Sequence, residues 1–332
     1  MAKVMRGSMN ARAEAKELRA WESWPAEGRP AGYFRLPMTD EAAGFFKRQG
    51  FLVLEDGLSA AEVEALRAET ALICKGGRGE VRGFEAGRPG ESDDDAMRRY
   101  LCIHFPHKIS ALMEQALAHP SIVDVLTRVI SPNVKCMQSM LFIKAAGKPG
   151  QAWHQDEIYI PTRDRSLAGA WIALDDATVE NGCLWVIPGS QGPGILYRLE
   201  DHDDRRFDCS AQAQGFPYTN DDAVPVEVKA GSIVFFNGYL LHRSLPNYAS
   251  AGYRRSLVNH YMSAESFLPW FGNKLPDDQY AAIADNRDII LVAGRDPYAY
   301  KGIEARNGPH VRPSGEGGCG HIDRNEAQRE KR

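Results

Sequence analysis

The chain lacks any run of about 18 apolar residues, so no transmembrane helix is expected. Its opening, MAKVMRGSMNARAEAKELRAW, holds no apolar segment long enough for a secretion signal, which points to the cytoplasm. Neither sign of charge is in excess: 40 Lys and Arg stand against 44 Asp and Glu, a net charge of −4. Nothing in that balance favours nucleic acid or a membrane surface as partner. Cysteine is sparse. The six, Cys74, Cys102, Cys136, Cys183, Cys209 and Cys319, are scattered with no close pair, and without a secretion signal they are expected to remain thiols. Internal repeats and low-complexity tracts are also missing. These absences leave a globular chain of ordinary composition, and 332 residues suffice for one large domain or two small ones.

Residues 1–38 are charged, with Pro25 and Pro30, and read as a loosely attached arm. From Thr39 the pattern changes. TDEAAGFFKRQG predicts a helix capped by Thr39 and closed by Gly50, with Ala42, Phe45 and Phe46 on its apolar face. FLVLED (51–56) reads as a short strand, and Ser59 caps a second helix that carries Leu66 and Leu72 on a helical period. Residues 75–98, rich in Gly and charge, predict an exposed loop. Helix returns over 108–130, with Pro120 starting a new one.

From Val134 onward short aromatic and β-branched runs alternate with Gly, Pro and Asn. They are VKCMQSMLFIKAA, QAWHQDEIYI, AWIALDDA, GCLWVIPGS, PVEVKAGSIVFFNG, LLHRS and RRSLVNHYM. The fold class they predict is mainly β with flanking helices, a sandwich or barrel of which the jelly roll is one form. Cys136 and Cys183 fall in these strands and read as core. Residues 189–224 form a long polar insertion. The expected organisation is one domain over 39–309, its strand core near 134–262, and a frayed tail over 310–332.

The sharpest motif is Trp153-His154-Gln155-Asp156. On a strand, residues two apart share a face, so His154 and Asp156 can both reach one ion. His242, in LLHRS, sits by another apolar strand. Two neutral imidazoles and a carboxylate on one side of a metal are the facial triad of non-haem Fe(II) oxygenases, which leaves positions open for a co-substrate and O2. A lone H-x-D is otherwise most often a surface tripeptide. Twelve residues after His242 come Arg254 and Arg255. A dicarboxylate co-substrate needs a fixed cation at its far end, and Arg grips a carboxylate with a bidentate fork. Because strand side chains alternate, only one of the pair can face inward, and spacing does not choose between them. Ser244 shares a face with His242 if that segment is extended, and its hydroxyl can add a donor.

Taken in order, these residues resemble the phytanoyl-CoA dioxygenase family. The match runs from about Phe45 to Tyr261 through GFLVLEDGLSAAEVEALRAE, FIKAAGKPGQAWHQDEIYI, AWIALDDATVENGCLWVIPGS and GSIVFFNGYLLHRSLPN followed by RRSL. The resemblance implies a double-stranded β-helix, the cupin-like jelly roll, flanked by helices. It implies Fe(II) on His154, Asp156 and His242, with 2-oxoglutarate as co-substrate and O2 as oxidant. It assigns the co-substrate's distal carboxylate to Arg254, the first of the pair, with Arg255 in reserve. Ser244, Gln138 and Trp171 match positions that line the co-substrate pocket, although Trp171 reads equally well as a core aromatic. Related halogenases replace the carboxylate ligand by a small residue. Asp156 is present here, which favours hydroxylation.

The substrate is expected to be a small organic molecule lined by residues from 75–108, 157–166 and 189–224. Candidates there are His104, Lys108, Tyr159, Arg163, Arg165 and Arg198. Their basic character favours an acidic substrate, unless those loop charges are simply solvated. Two other classes stay open: a cupin-type metal oxygenase that does not use 2-oxoglutarate, and a non-catalytic binding protein on the same fold. Oligomeric state is not legible.

Overall fold

Local chemistry sets the helices. In the computed structural model, which describes residues 31–85, 87, 90–208, 211–266 and 288–312, helix α1 (Asp40–Gln49) starts where the Thr39 hydroxyl accepts from the Ala42 N–H. It ends at Gly50, left-handed at φ +81°, where an added Cβ would strike Leu240 at 2.8 Å. Helix α2 (Ala60–Cys74) opens with a reciprocal capping box between Ser59 and Glu62. Its Leu66 is buried, but Leu72 is 37% exposed, so only part of the expected apolar face is used. Helix α3 (Asp93–Arg98) forms inside the segment expected to be loop, because Ser92 caps it and three aspartates occupy its first turn. Helices α4 (Ala111–Leu117) and α5 (Pro120–Val129) follow, the second with Pro at its first turn.

Fifteen strands are found among the described residues: β1 (Tyr33–Phe34), β2 (Phe51–Leu54), β3 (Cys102–His104), β4 (Val134–Ala145), β5 (Gln151–His154), β6 (Ala168–Ala173), β7 (Leu184–Val186), β8 (Leu199–Asp201), β9 (Ala211–Ala213), β10 (Val224–Val226), β11 (Ile233–Asn237), β12 (His242–Ser244), β13 (Tyr253–Ser263), β14 (Ile290–Ala293) and β15 (His310–Val311). The larger sheet runs β1-β2-β11-β6-β13-β4-β3-β15, with β14 also on β4, and the smaller runs β10-β7-β12-β5. Together they make the jelly roll.

Strand alternation divides the core in two. Leu52, Leu54, Ile172, Phe235 and Leu257 face the helices and pack with Val63, Leu66, Leu117 and Ile122. Their neighbours Val53, Trp171, Phe236 and Val258 face the smaller sheet and meet Trp153, Leu184 and Val186. Central strands are thus buried on both faces, and truncating a residue such as Leu257 to Ala would cost about 2–5 kcal/mol.

Several sequence-based boundaries shift. Residues 33–34 and 310–311, read as arm and tail, are edge strands of the larger sheet, and Met38 and Arg312 are buried. Residues 189–224 contain the β8–β9 hairpin. Helix begins at Ala111 rather than 108, and QAWHQDEIYI is strand only as far as His154. Cys74, Cys102, Cys136 and Cys183 are buried free thiols, while Cys209 and Cys319 lie outside the described residues, as do 1–30 and 313–332.

Candidate active site

Strand β5 ends at His154 because the Gln155 side chain ties down the turn that follows. Its amide donates to the carbonyls of Ile195 and Tyr239 and accepts from the Tyr197 N–H. Asp156 therefore sits in a 3-10 turn, Asp156–Ile158, and meets His154 through that turn instead of through strand alternation. His242 lies opposite His154 in the β12–β5 register. The Nε2 atoms of His154 and His242 each lie 3.6 Å from Asp156 Oδ1. One ligand atom from each of the three residues falls within 4.8 Å of the others, and all three side chains are buried.

The protonation pattern suits a metal. His154 Nδ1–H donates to the Ala152 carbonyl at 2.8 Å, and His242 Nδ1–H donates to the Leu240 carbonyl at 3.0 Å. Each imidazole then presents a bare Nε2 lone pair to the shared point. Burial, with His242 adding, pushes His154 down to about 3, so its ring is neutral near pH 7. Burial alone would raise the Asp156 carboxyl, but His242, His260 and His154 hold it below the usual carboxylate range. Two imidazole nitrogens and one carboxylate oxygen fit Fe(II).

The cavity beside these residues has a volume of about 590 Å³ including its mouth. Arg254 lines it; the side chain is 3% exposed. The guanidinium donates from Nε to the Gly182 carbonyl and from Nη1 to Ser256, and lies 5.4 Å from the Trp171 ring. Burial lowers Arg254 only to about 10, so it keeps its charge near neutral pH. Arg255, on the opposite face of β13, forms a bidentate ion pair with Asp175 at 2.9 and 2.8 Å. Ser244 and Trp171 also line the cavity.

Gln138 does not line this cavity. Its amide donates to His104 Nδ1 at 3.2 Å, and its strand neighbour Met140 faces the cavity instead. His104 in turn stacks on His310 at 4.8 Å, and the Tyr159 ring lies 6.3 Å from that of His154. Arg163, Arg165 and Arg198 are exposed and do not line the cavity; Arg165 lies over the Tyr239 ring at 5.5 Å. Lys108 is ion-paired with Asp288. The expected acidic substrate thus loses its basis, since these cations are turned to solvent or already paired.

Among the cavity residues that the sequence analysis does not name, strand parity carries the signal for His260 and Lys144. His260 lies six residues beyond Arg254 on β13, and its Nε2 is 3.0 Å from Asp156 Oδ2. Lys144, two residues beyond Phe142 on β4, also reaches the cavity.

Comparison with known proteins accords with this geometry. The phytanoyl-CoA dioxygenase (PhyH) family profile matches residues 46–256. Phytanoyl-CoA dioxygenase 1 of Oryza sativa subsp. japonica is 30% identical over 281 residues, covering 74% of this chain and 97% of that protein. Phytanoyl-CoA dioxygenase of Arabidopsis thaliana is 40% identical over 244 residues, covering 64% and 85%. Among solved structures, the non-haem monooxygenase ThoJ superposes with a TM-score of 0.58 at 20% identity, over 87% of this chain and 96% of that one. The α-ketoglutarate-dependent epimerase SnoN from nogalamycin biosynthesis superposes with a TM-score of 0.55 at 20% identity, over 77% and 96%. At that identity the structural likeness establishes the fold. The profile match and the plant relatives establish more: this chain belongs to the phytanoyl-CoA dioxygenase family and is an iron- and 2-oxoglutarate-dependent oxygenase.

Proposed function

We propose that this chain hydroxylates a small organic substrate, with Fe(II) held by His154, Asp156 and His242 and with 2-oxoglutarate anchored at Arg254. One observation carries the reading. A single cavity is lined both by the His-Asp-His cluster and by a buried Arg that has no carboxylate partner among the described residues.

When bound, Fe(II) and 2-oxoglutarate supply the oxidation of a C–H bond by O2 to an alcohol, with release of succinate and CO2. The protein's part is placement. The two bare Nε2 atoms and Asp156 Oδ1 hold the ion from one side. Arg254 grips the distal carboxylate, while Trp171 flanks its guanidinium. Ser244 adds a hydroxyl donor. Phe236, Val258 and Leu184 make the surrounding wall apolar, which keeps water out and strengthens each of these charge contacts. Tyr159, whose ring lies 6.3 Å from that of His154, and His104, packed against Gln138 and His310, are the substrate contacts of this reading, and the exposed Arg163 and Arg165 are not. The intact carboxylate at Asp156 supports hydroxylation over halogenation.

The test is a screen of small organic compounds for compound-dependent succinate release under Fe(II), ascorbate and O2. A hydroxylated product formed in step with succinate supports the proposal. Product formation that does not need 2-oxoglutarate contradicts it.

A further inference from the structure

Lys144 is a buried cation for which the oxygenase reading above gives no role. It stands on β4 with a side chain 2% exposed, and no carboxylate touches it among the described residues. Asp208, which lines the same cavity, is ion-paired with Arg312 at 2.5 Å. The Lys144 amine donates to the Leu245 carbonyl at 2.7 Å and to Ser244 Oγ at 2.9 Å, and reaches the Gly182 carbonyl at 3.5 Å. That last oxygen also accepts from Arg254 Nε at 3.1 Å, so the two cations share one carbonyl. Gly182 is held at φ +82°, where a Cβ would meet the Leu245 carbonyl oxygen, itself an acceptor for Lys144, so this turn needs glycine.

The hydrogen bonds leave two donors over. Ser244 Oγ accepts from Lys144, and no acceptor among the described residues takes its own proton. Arg254 uses Nε and Nη1, and Nη2 has no acceptor there either. Burial, with Arg254 adding, pushes the Lys144 ammonium well below its ordinary value, and among the described residues neither Lys144 nor Arg254 has a carboxylate in contact.

We infer that Lys144 is a positioning residue for the co-substrate: by donating to Ser244 it turns the hydroxyl proton into the cavity, so that Ser244 and Arg254 together present donors to a distal carboxylate. The inference rests on the reading that 2-oxoglutarate binds with that carboxylate at Arg254. Its specific content is that Lys144 acts on the carboxylate end of the co-substrate and not on the end that meets the metal.

The experiment is calorimetry on the full chain loaded with Mn(II), which replaces Fe(II) without reacting with O2 on the time scale of the titration. The ligands are 2-oxoglutarate and 2-oxopentanoate, which has the same length but ends in a methyl group. Lys144→Met is expected to weaken 2-oxoglutarate by roughly 10–100-fold, the loss of one charge-assisted contact, and to leave 2-oxopentanoate unchanged. Adding Ser244→Ala to that variant is expected to cost little more, because the two side chains act as one unit. Equal weakening of both ligands would show that Lys144 only supports the loop, and no weakening would remove it from the site; either result overturns the inference. So does full additivity of the two substitutions. Should the Met variant not purify folded, the same comparison is read on Lys144→Gln. Arg254→Ala separates the inference from its basis. If that variant keeps wild-type 2-oxoglutarate affinity, the co-substrate reading itself fails; if it loses affinity while Lys144→Met does not, only the role of Lys144 fails.

Discussion

His260 Nε2 lies 3.0 Å from Asp156 Oδ2, the carboxylate oxygen that is turned away from the two metal-facing imidazoles. Asp156 is therefore held at both oxygens. One points to the shared point between His154 and His242, and the other is fixed by a donor on β13. Groups that orient a metal ligand typically matter about 10–100-fold in metal affinity. His260→Phe is accordingly expected to weaken Fe(II) binding by that order, measured by competition with a chelator. Unchanged affinity would show that the turn at Gln155 alone positions Asp156.

Arg254 and Arg255 are expected to fail in different ways. Arg254→Ala should weaken 2-oxoglutarate binding by about 2–5 kcal/mol, the usual cost of breaking a buried charged contact, with little change in fold. Arg255→Ala breaks the ion pair with Asp175, so its loss should appear in melting temperature and leave co-substrate affinity in place. Titration of 2-oxoglutarate into both variants checks this, and the reverse pattern would mean that the roles of the two are exchanged.

Asp156→Ala is expected to abolish hydroxylation, with reduced iron loading. It removes one negative charge and one donor from the cluster. Chloride-dependent halogenation is not expected, because the wall beside Asp156 was not built to hold a halide. Iron content and succinate yield, each measured with chloride present, test this; normal loading with full substrate-coupled turnover would remove Asp156 from the ligand set.

Glu157 sets a pH dependence. Burial, only partly offset by the two Thr162 donors, pushes its carboxyl up from 4.5 to about 7. The fold thus favours the protonated form. The stabilisation this confers is fully present below the unfolded value of 4.5 and is lost as pH rises through about 7. In chelator, the melting temperature of the wild type should fall relative to Glu157→Gln between about pH 5 and pH 8. Parallel curves would show that Glu157 titrates normally.

What the sequence made legible follows from how local each signal is. Thr39 and Ser59 cap their helices through bonds within three residues, and Pro120 opens its helix through a fixed backbone angle, so α1, α2 and α5 can be read directly. The identities in Trp153-His154-Gln155-Asp156 were legible for the same reason. The conformation was not, because Gln155 ends the strand through backbone groups 40 and 84 residues away. Gln138 shows the same limit. Its parity does place it on the inner face, opposite His260, but β3 comes alongside and His104 takes its amide. Next to β3 lies β15, drawn from a segment whose polar, Gly-rich composition looks like a tail. Lys144 is not legible for a different reason: a lysine in a strand ordinarily faces water, and only the carbonyls of Leu245 and Gly182 and the Ser244 hydroxyl make its burial tolerable.

In the proposed complex one cavity holds iron at the triad and the far end of 2-oxoglutarate at Arg254. An anaerobically grown crystal of the Fe(II) and 2-oxoglutarate complex tests it most directly. Iron is expected at about 2.0–2.2 Å, the usual range for nitrogen and oxygen ligands, from His154 Nε2, Asp156 Oδ1 and His242 Nε2, with the distal carboxylate on Arg254 and the Ser244 hydroxyl. Iron bound without Asp156, or the distal carboxylate held by a different cation, would contradict it.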